Sequence, residues 1–64
     1  MNTVRILAVD DHEMTALGYK YILEDSEFDN FNVKVEIATN FEKGKSKIEM
    51  SKRAVPYDII LLDI

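Results

Sequence analysis

The chain has 64 residues, no cysteine, and twelve acidic against eight basic side chains, a net charge of −4. One small domain is the most this length holds. Disulfides and thiolate metal sites are excluded, and the acidic balance argues against non-specific nucleic-acid binding, which needs Lys and Arg to neutralise phosphates.

The first run, VRILAV, is β-branched and aliphatic almost without interruption, which predicts a strand over about 4–9 buried on both faces, as parallel sheets require. It stops at Asp10 and Asp11. Met14, Leu17, Gly18, Tyr21 and Ile22 then recur at helical spacing and predict an amphipathic helix over about 13–24 with that face inward. Residues 25–32 are polar and turn-rich, and Phe28 and Phe31 are expected to tuck beneath them. Alternation of apolar and polar residues predicts a half-exposed strand over about 33–38. Thr39 and Glu42 have the spacing of a capping box and open a helix over about 40–50 whose inward face is Phe41, Gly44 and Ile48. Gly44 costs that helix about 1 kcal/mol relative to Ala. Pro56 pushes the residue before it out of the helical region, and YDIILLD predicts a third strand over about 57–63.

At 47% hydrophobic and 31% charged the composition is that of a folded globular chain. Its longest apolar run, residues 59–62, is too short to span a bilayer, and no membrane partner is expected. Strand, helix, strand, helix, strand with connections this short predicts an α/β fold with right-handed crossovers and one helix on each side of the sheet. The first and third strands are apolar on both faces and the second alternates, so the expected strand order is 2-1-3.

That order makes the first and third strands neighbours, and both end in aspartate. Asp10, Asp11 and Asp63 are then expected at the carboxyl end of the sheet, in the crevice where open α/β sheets bind ligands. With neighbouring strands roughly 4.8 Å apart, such carboxylates crowd one another unless a cation sits between them. Hard oxygen ligands open to solvent suit Mg²⁺ completed by water and phosphate. The alternative is that these are ordinary strand-end turn residues, with Asp11 capping the first helix.

VRILAVDDH at 4–12, followed by an amphipathic helix, and YDIILLDI at 57–64 resemble the first half of a response-regulator receiver (CheY-like) domain, across essentially the whole chain. The resemblance implies the N-terminal βαβαβ half of a flavodoxin-like, doubly wound parallel sheet, a partial receiver domain over 1–64 truncated after its third strand. It implies that Asp10, Asp11 and Asp63 bind Mg²⁺ and that Asp63 is the phosphoacceptor, taking its phosphoryl group from a histidine kinase. Histidine after the acid pair is most similar to receivers of LuxR/NarL-type cytoplasmic transcriptional regulators, in which DNA is reached only through an output domain, absent here. Such a module is a signalling acceptor and not a turnover enzyme. Without the Ser/Thr and Lys that the family carries on later strands, the 64-residue chain is expected to phosphorylate poorly. Its strand 57–63 is expected to self-associate through an unpaired edge. The alternative function is a non-phosphorylated structural or interaction module.

Two enzyme-like readings fail on the residues. A haloacid-dehalogenase phosphatase wants Asp-x-Asp after the first strand, and here the acids are adjacent. A dinucleotide site wants Gly-x-Gly-x-x-Gly there, and the chain has only Gly18 and Gly44. Five of the eight bases fall between 43 and 53, opposed there by Glu49 alone, the pattern of a solvated face. His12 is expected as a solvent-facing loop residue, and Tyr19, Tyr21, Phe28, Phe31 and Phe41 as packing residues.

Overall fold

The computed structural model describes residues 2–25 and 31–63. Five elements follow in order: β1 (Asn2–Asp10), α1 (Glu13–Asp25), β2 (Phe31–Ala38), α2 (Phe41–Ser51) and β3 (Ile59–Asp63). The strands are parallel in the order β2-β1-β3, so the α/β arrangement and strand order expected from the apolar patterns both hold. No helix among the described residues is long and apolar enough to cross a membrane.

Because successive strand residues face opposite sides, β1 supplies two cores. Ile6 and Ala8 pack with Val35 beneath Tyr19 and Leu23 of α1, while Leu7 and Val9 pack with Ala38 against Ile48 of α2 and Tyr57. The helices therefore lie on opposite faces of the sheet.

The inward face of α1 differs from the predicted one. Ala16, Tyr19 and Leu23 face the sheet, whereas Met14 is 82% and Tyr21 63% exposed, and Ile22 is exposed as well. The helix carries two apolar stripes, and the fold buries the one that also satisfies the outer edge of β2. From that side Lys20 Nζ donates to the Val35 carbonyl at 3.1 Å, and the Glu24 carboxylate accepts from the Val35 amide at 2.7 Å. Strand edges left bare invite foreign strands, and this pair occupies the edge at its midpoint. The Val35 amide first, and Lys20 after it, holds the Glu24 carboxyl below its ordinary value. Its contribution is therefore present above the ordinary carboxylate range and fades as pH falls through the lowered value.

Other boundaries move for local reasons. β2 starts at Phe31, paired with Asn2, rather than at 33, and Phe28 lies outside the described residues. Tyr57 and Asp58 precede β3 rather than belonging to it. There the Asp58 amide donates to the Arg5 carbonyl at 2.8 Å, and the Asp58 carboxylate accepts from the Arg5 amide at 2.9 Å. The cap of α2 is Asn40 and not Thr39. Asn40 is extended and its side chain accepts from the Lys43 amide at 2.8 Å, which moves the helix start one residue on and takes Glu42 out of capping-box register.

Gly44 and Ile48 do face inward, joined by buried Ser51, while Phe41 is exposed at the rim. Gly44 earns its place by contact. A Cβ there would stand 2.7 Å from Val9 Cγ2, and Val9 is a stiff β-branched side chain buried in β1. Gly44→Ala should therefore destabilise the protein by about 1–2 kcal/mol, overpacking outweighing the propensity gain of about 1 kcal/mol. In a Val9→Ala background the same change should stabilise, and a double-mutant cycle in urea checks the reversal.

A polar cluster closes the amino end of the α2 face. The Tyr57 hydroxyl donates to the Glu36 carboxylate, Arg5 and Lys47 each stand 3.6 Å from Glu36, and the Arg5 guanidinium lies 5.6 Å from the centre of the Tyr57 ring. Burial, then the bond to Glu36, pushes the Tyr57 phenol up to about 12. A raised phenol pKa stabilises the fold fully below pH 10, and that contribution disappears as pH rises from 10 to about 12. One of the three tyrosines should thus ionise near pH 12 by phenolate absorbance, and Glu36→Gln should bring it back toward 10.

Candidate metal centre

β1 places Asp10 by its alternation. Position 10 shares the α1 face with Ile6 and Ala8, so the carboxylate that ends the strand is turned inward and is 0% exposed. Its Oδ1 accepts from the backbone amide of His12 at 2.9 Å, an Asx turn that steers the chain from strand to helix. Its Oδ2 is buried and has no hydrogen-bond partner among the described residues.

Asp11 lies just past the strand and is exposed. The carbonyl of His12 accepts from the Ala16 amide at 3.1 Å, so His12 occupies the capping position of α1, which the turn-residue reading had given to Asp11. The Asp11 carboxylate instead meets the His12 ring: Nδ1 is 2.9 Å from Asp11 Oδ1 and 3.2 Å from Asp10 Oδ1. Nδ1 is thus within hydrogen-bond reach of both carboxylates. His12 is solvent-facing as expected, its side chain 77% exposed, but its inner nitrogen is turned to the acids. The first amides of α1 add partial positive charge behind this group.

Asp63 stands opposite Asp10 in the β1–β3 register, at the carboxyl end of the sheet, and is exposed. The donor atoms that lie together within 4.8 Å are those of Asp10, Asp11 and His12. The structure thus gathers the acid pair, sets Asp63 on the neighbouring strand, and adds a residue that sequence reasoning had left to solvent. The available signal was position, since a residue directly after the acid pair that opens a helix is held by the same turn.

The residues fit a divalent cation. A buried carboxylate oxygen without a donor costs about 1–3 kcal/mol, and a dication supplies the positive charge that the described residues leave out at Asp10 Oδ2. Elsewhere, the basic stretch behaves as the charge pattern predicts. Lys43, Lys45, Lys52 and Arg53 are exposed, and Lys47 pairs with Glu36.

No family model, curated protein or solved structure matches the chain.

Proposed function

We propose that the chain is the phosphoacceptor receiver module of a cytoplasmic two-component response regulator. Asp63 takes a phosphoryl group from the phosphohistidine of a kinase, and Asp10, Asp11 and Asp63 hold Mg²⁺. Any contact with DNA belongs to a separate output domain. One arrangement carries the reading: Asp10 and Asp63 are register partners on adjacent parallel strands, with Asp10 Oδ2 buried and without a partner among the described residues. When bound, the dication neutralises phosphoryl oxygens.

The protein's own residues do the rest. Asp63 is exposed and presents the nucleophilic oxygen to an incoming donor. Its bond to phosphorus forms as the phosphorus–nitrogen bond breaks, and the kinase imidazole leaves with the electron pair and takes up a proton. Asp10 is fixed by the Asx turn, so the acid beneath the reacting group needs no reorganisation.

The test is incubation with acetyl phosphate and Mg²⁺ followed by intact mass. A weak, substoichiometric phosphoryl adduct is expected, lost in Asp63→Asn and lost with EDTA. No adduct at any donor concentration, or one that survives Asp63→Asn, would favour the non-phosphorylated interaction module instead.

A further inference from the structure

We propose that His12 Nδ1 is itself a metal ligand, so that the centre takes a first-row transition-metal dication of the Mn²⁺ to Co²⁺ class in preference to Mg²⁺. The proposal rests on the reading of Asp10 and Asp11 as metal-binding acids and adds a third ligand and a metal preference to it.

The geometry of three atoms leads there. An octahedral ion with bonds of about 2.1 Å sets neighbouring ligand atoms roughly 3.0 Å apart. His12 Nδ1 lies 2.9 Å from Asp11 Oδ1 and 3.2 Å from Asp10 Oδ1. Both distances are close to that spacing, and one ligand atom from each of Asp10, Asp11 and His12 lies within 4.8 Å of the others before any ion arrives. Independently, Asp10 is fully buried and its second oxygen, Oδ2, has no hydrogen-bond partner among the described residues, so a desolvated, unsatisfied acceptor lies on the same carboxylate as the Oδ1 that meets the ring.

The backbone supports the ring. The amide of His12 is tied to Asp10 Oδ1 and its carbonyl to Ala16, so the imidazole is delivered from the capping position of α1, held by two backbone hydrogen bonds. A neutral imidazole that ligates through Nδ1 carries its proton on Nε2, and the His12 side chain is 77% exposed, so water can accept from it.

The ligand set then decides the metal. Mg²⁺ favours oxygen alone, whereas imidazole raises affinity along the series from Mn²⁺ to Cu²⁺. Two carboxylates and one imidazole leave three positions of an octahedron for water, for Asp63 on the neighbouring strand, or for a phosphoryl oxygen.

The experiment is calorimetric titration of the 64-residue chain with Co²⁺ alone and with Mg²⁺ alone, on the wild type and on His12→Ala, His12→Gln and Asp11→Asn. The wild type should bind Co²⁺ at least about tenfold more tightly than Mg²⁺. His12→Ala should lower Co²⁺ affinity by about tenfold or more and leave Mg²⁺ affinity nearly unchanged. His12→Gln, which keeps a hydrogen-bond donor beside the acids, should behave like His12→Ala if the ring ligates. If it restores Co²⁺ binding, the ring only positions the carboxylates and the proposal fails. Nitrogen NMR with Zn²⁺ as the diamagnetic probe should move the His12 Nδ1 resonance and leave the proton on Nε2. Equal loss of both metals in Asp11→Asn with no effect of His12→Ala would overturn the ligand role while keeping the metal-binding acids. Absence of binding by either metal would remove both readings.

Discussion

Asp10→Asn is expected to make the metal-free protein more stable and to abolish its response to divalent cations. Asn keeps the carbonyl-type oxygen that accepts from the His12 amide at 2.9 Å, so the turn into α1 survives. What disappears is a charge on a side chain that is 0% exposed, one of whose oxygens has no partner among the described residues. The Asn amide nitrogen that takes the place of Oδ2 is itself a buried polar group, so the relief comes from removing the charge and is worth about 1–3 kcal/mol. A domain of this length holds only about 3–10 kcal/mol in total, so the gain is a large fraction of the whole.

Urea denaturation with EDTA and with Mg²⁺ separates the two effects. Wild-type protein should gain about 1.4 kcal/mol when free Mg²⁺ reaches ninefold its dissociation constant, and Asp10→Asn should give coincident curves. Asp11→Asn is the control, because Asp11 is exposed: it should lose the metal response with stability changed by less than about 0.5 kcal/mol. An Asp10→Asn variant no more stable than wild type in EDTA would mean that water or the helix terminus already satisfies the buried oxygen.

This trade between stability and ligand binding was partly legible in the sequence. Two apolar strands that each end in aspartate, with an alternating strand between them in the chain, were enough to derive the 2-1-3 order and hence the meeting of Asp10 and Asp63. Strand alternation also separates the two adjacent acids, since position 10 continues the face of Ile6 and Ala8 and position 11 has left the strand. The orientation of α1 was not legible from periodicity. Its two apolar stripes are both well formed, and the choice between them was made by Lys20 and Glu24 reaching the backbone of Val35, a contact eleven to fifteen residues away along the chain. His12 escaped for a similar reason. Its ring direction follows from an Asx turn and a helix start, which residue type alone does not encode.

The same contrast between sheet edges leads to the second large effect. On β2 the edge is occupied at Val35, and charged Lys34 and Glu36 flank it. On β3 nothing comparable is present among the described residues. Ile59 and Ile60 are each 45% exposed and Leu62 is 61% exposed, with neither Pro nor Lys along the strand. Beside it a groove of about 260 Å³ between α2 and β3 has an apolar floor that includes Val9, Ile48, Ile60 and Leu62, and Lys45, Glu49 and Lys52 of or next to α2 also line it. Such an edge is a template for another strand, and we propose a second copy of the chain as its occupant.

Charge decides the orientation of that copy. Parallel pairing would set Asp63 beside its counterpart at the same acidic end as Asp10 and Asp11. Antiparallel pairing about a two-fold axis sends each acidic end toward the other copy's amino end, where Arg5 lies, and closes the assembly at two. Sedimentation velocity should therefore find a dimer at micromolar concentration. Leu62→Lys, a change at an exposed side chain that costs the monomer little, should yield a folded monomer by circular dichroism. A wild type that stays monomeric as concentration rises, or a Leu62→Lys variant that still dimerises, would show that β3 is not the contact.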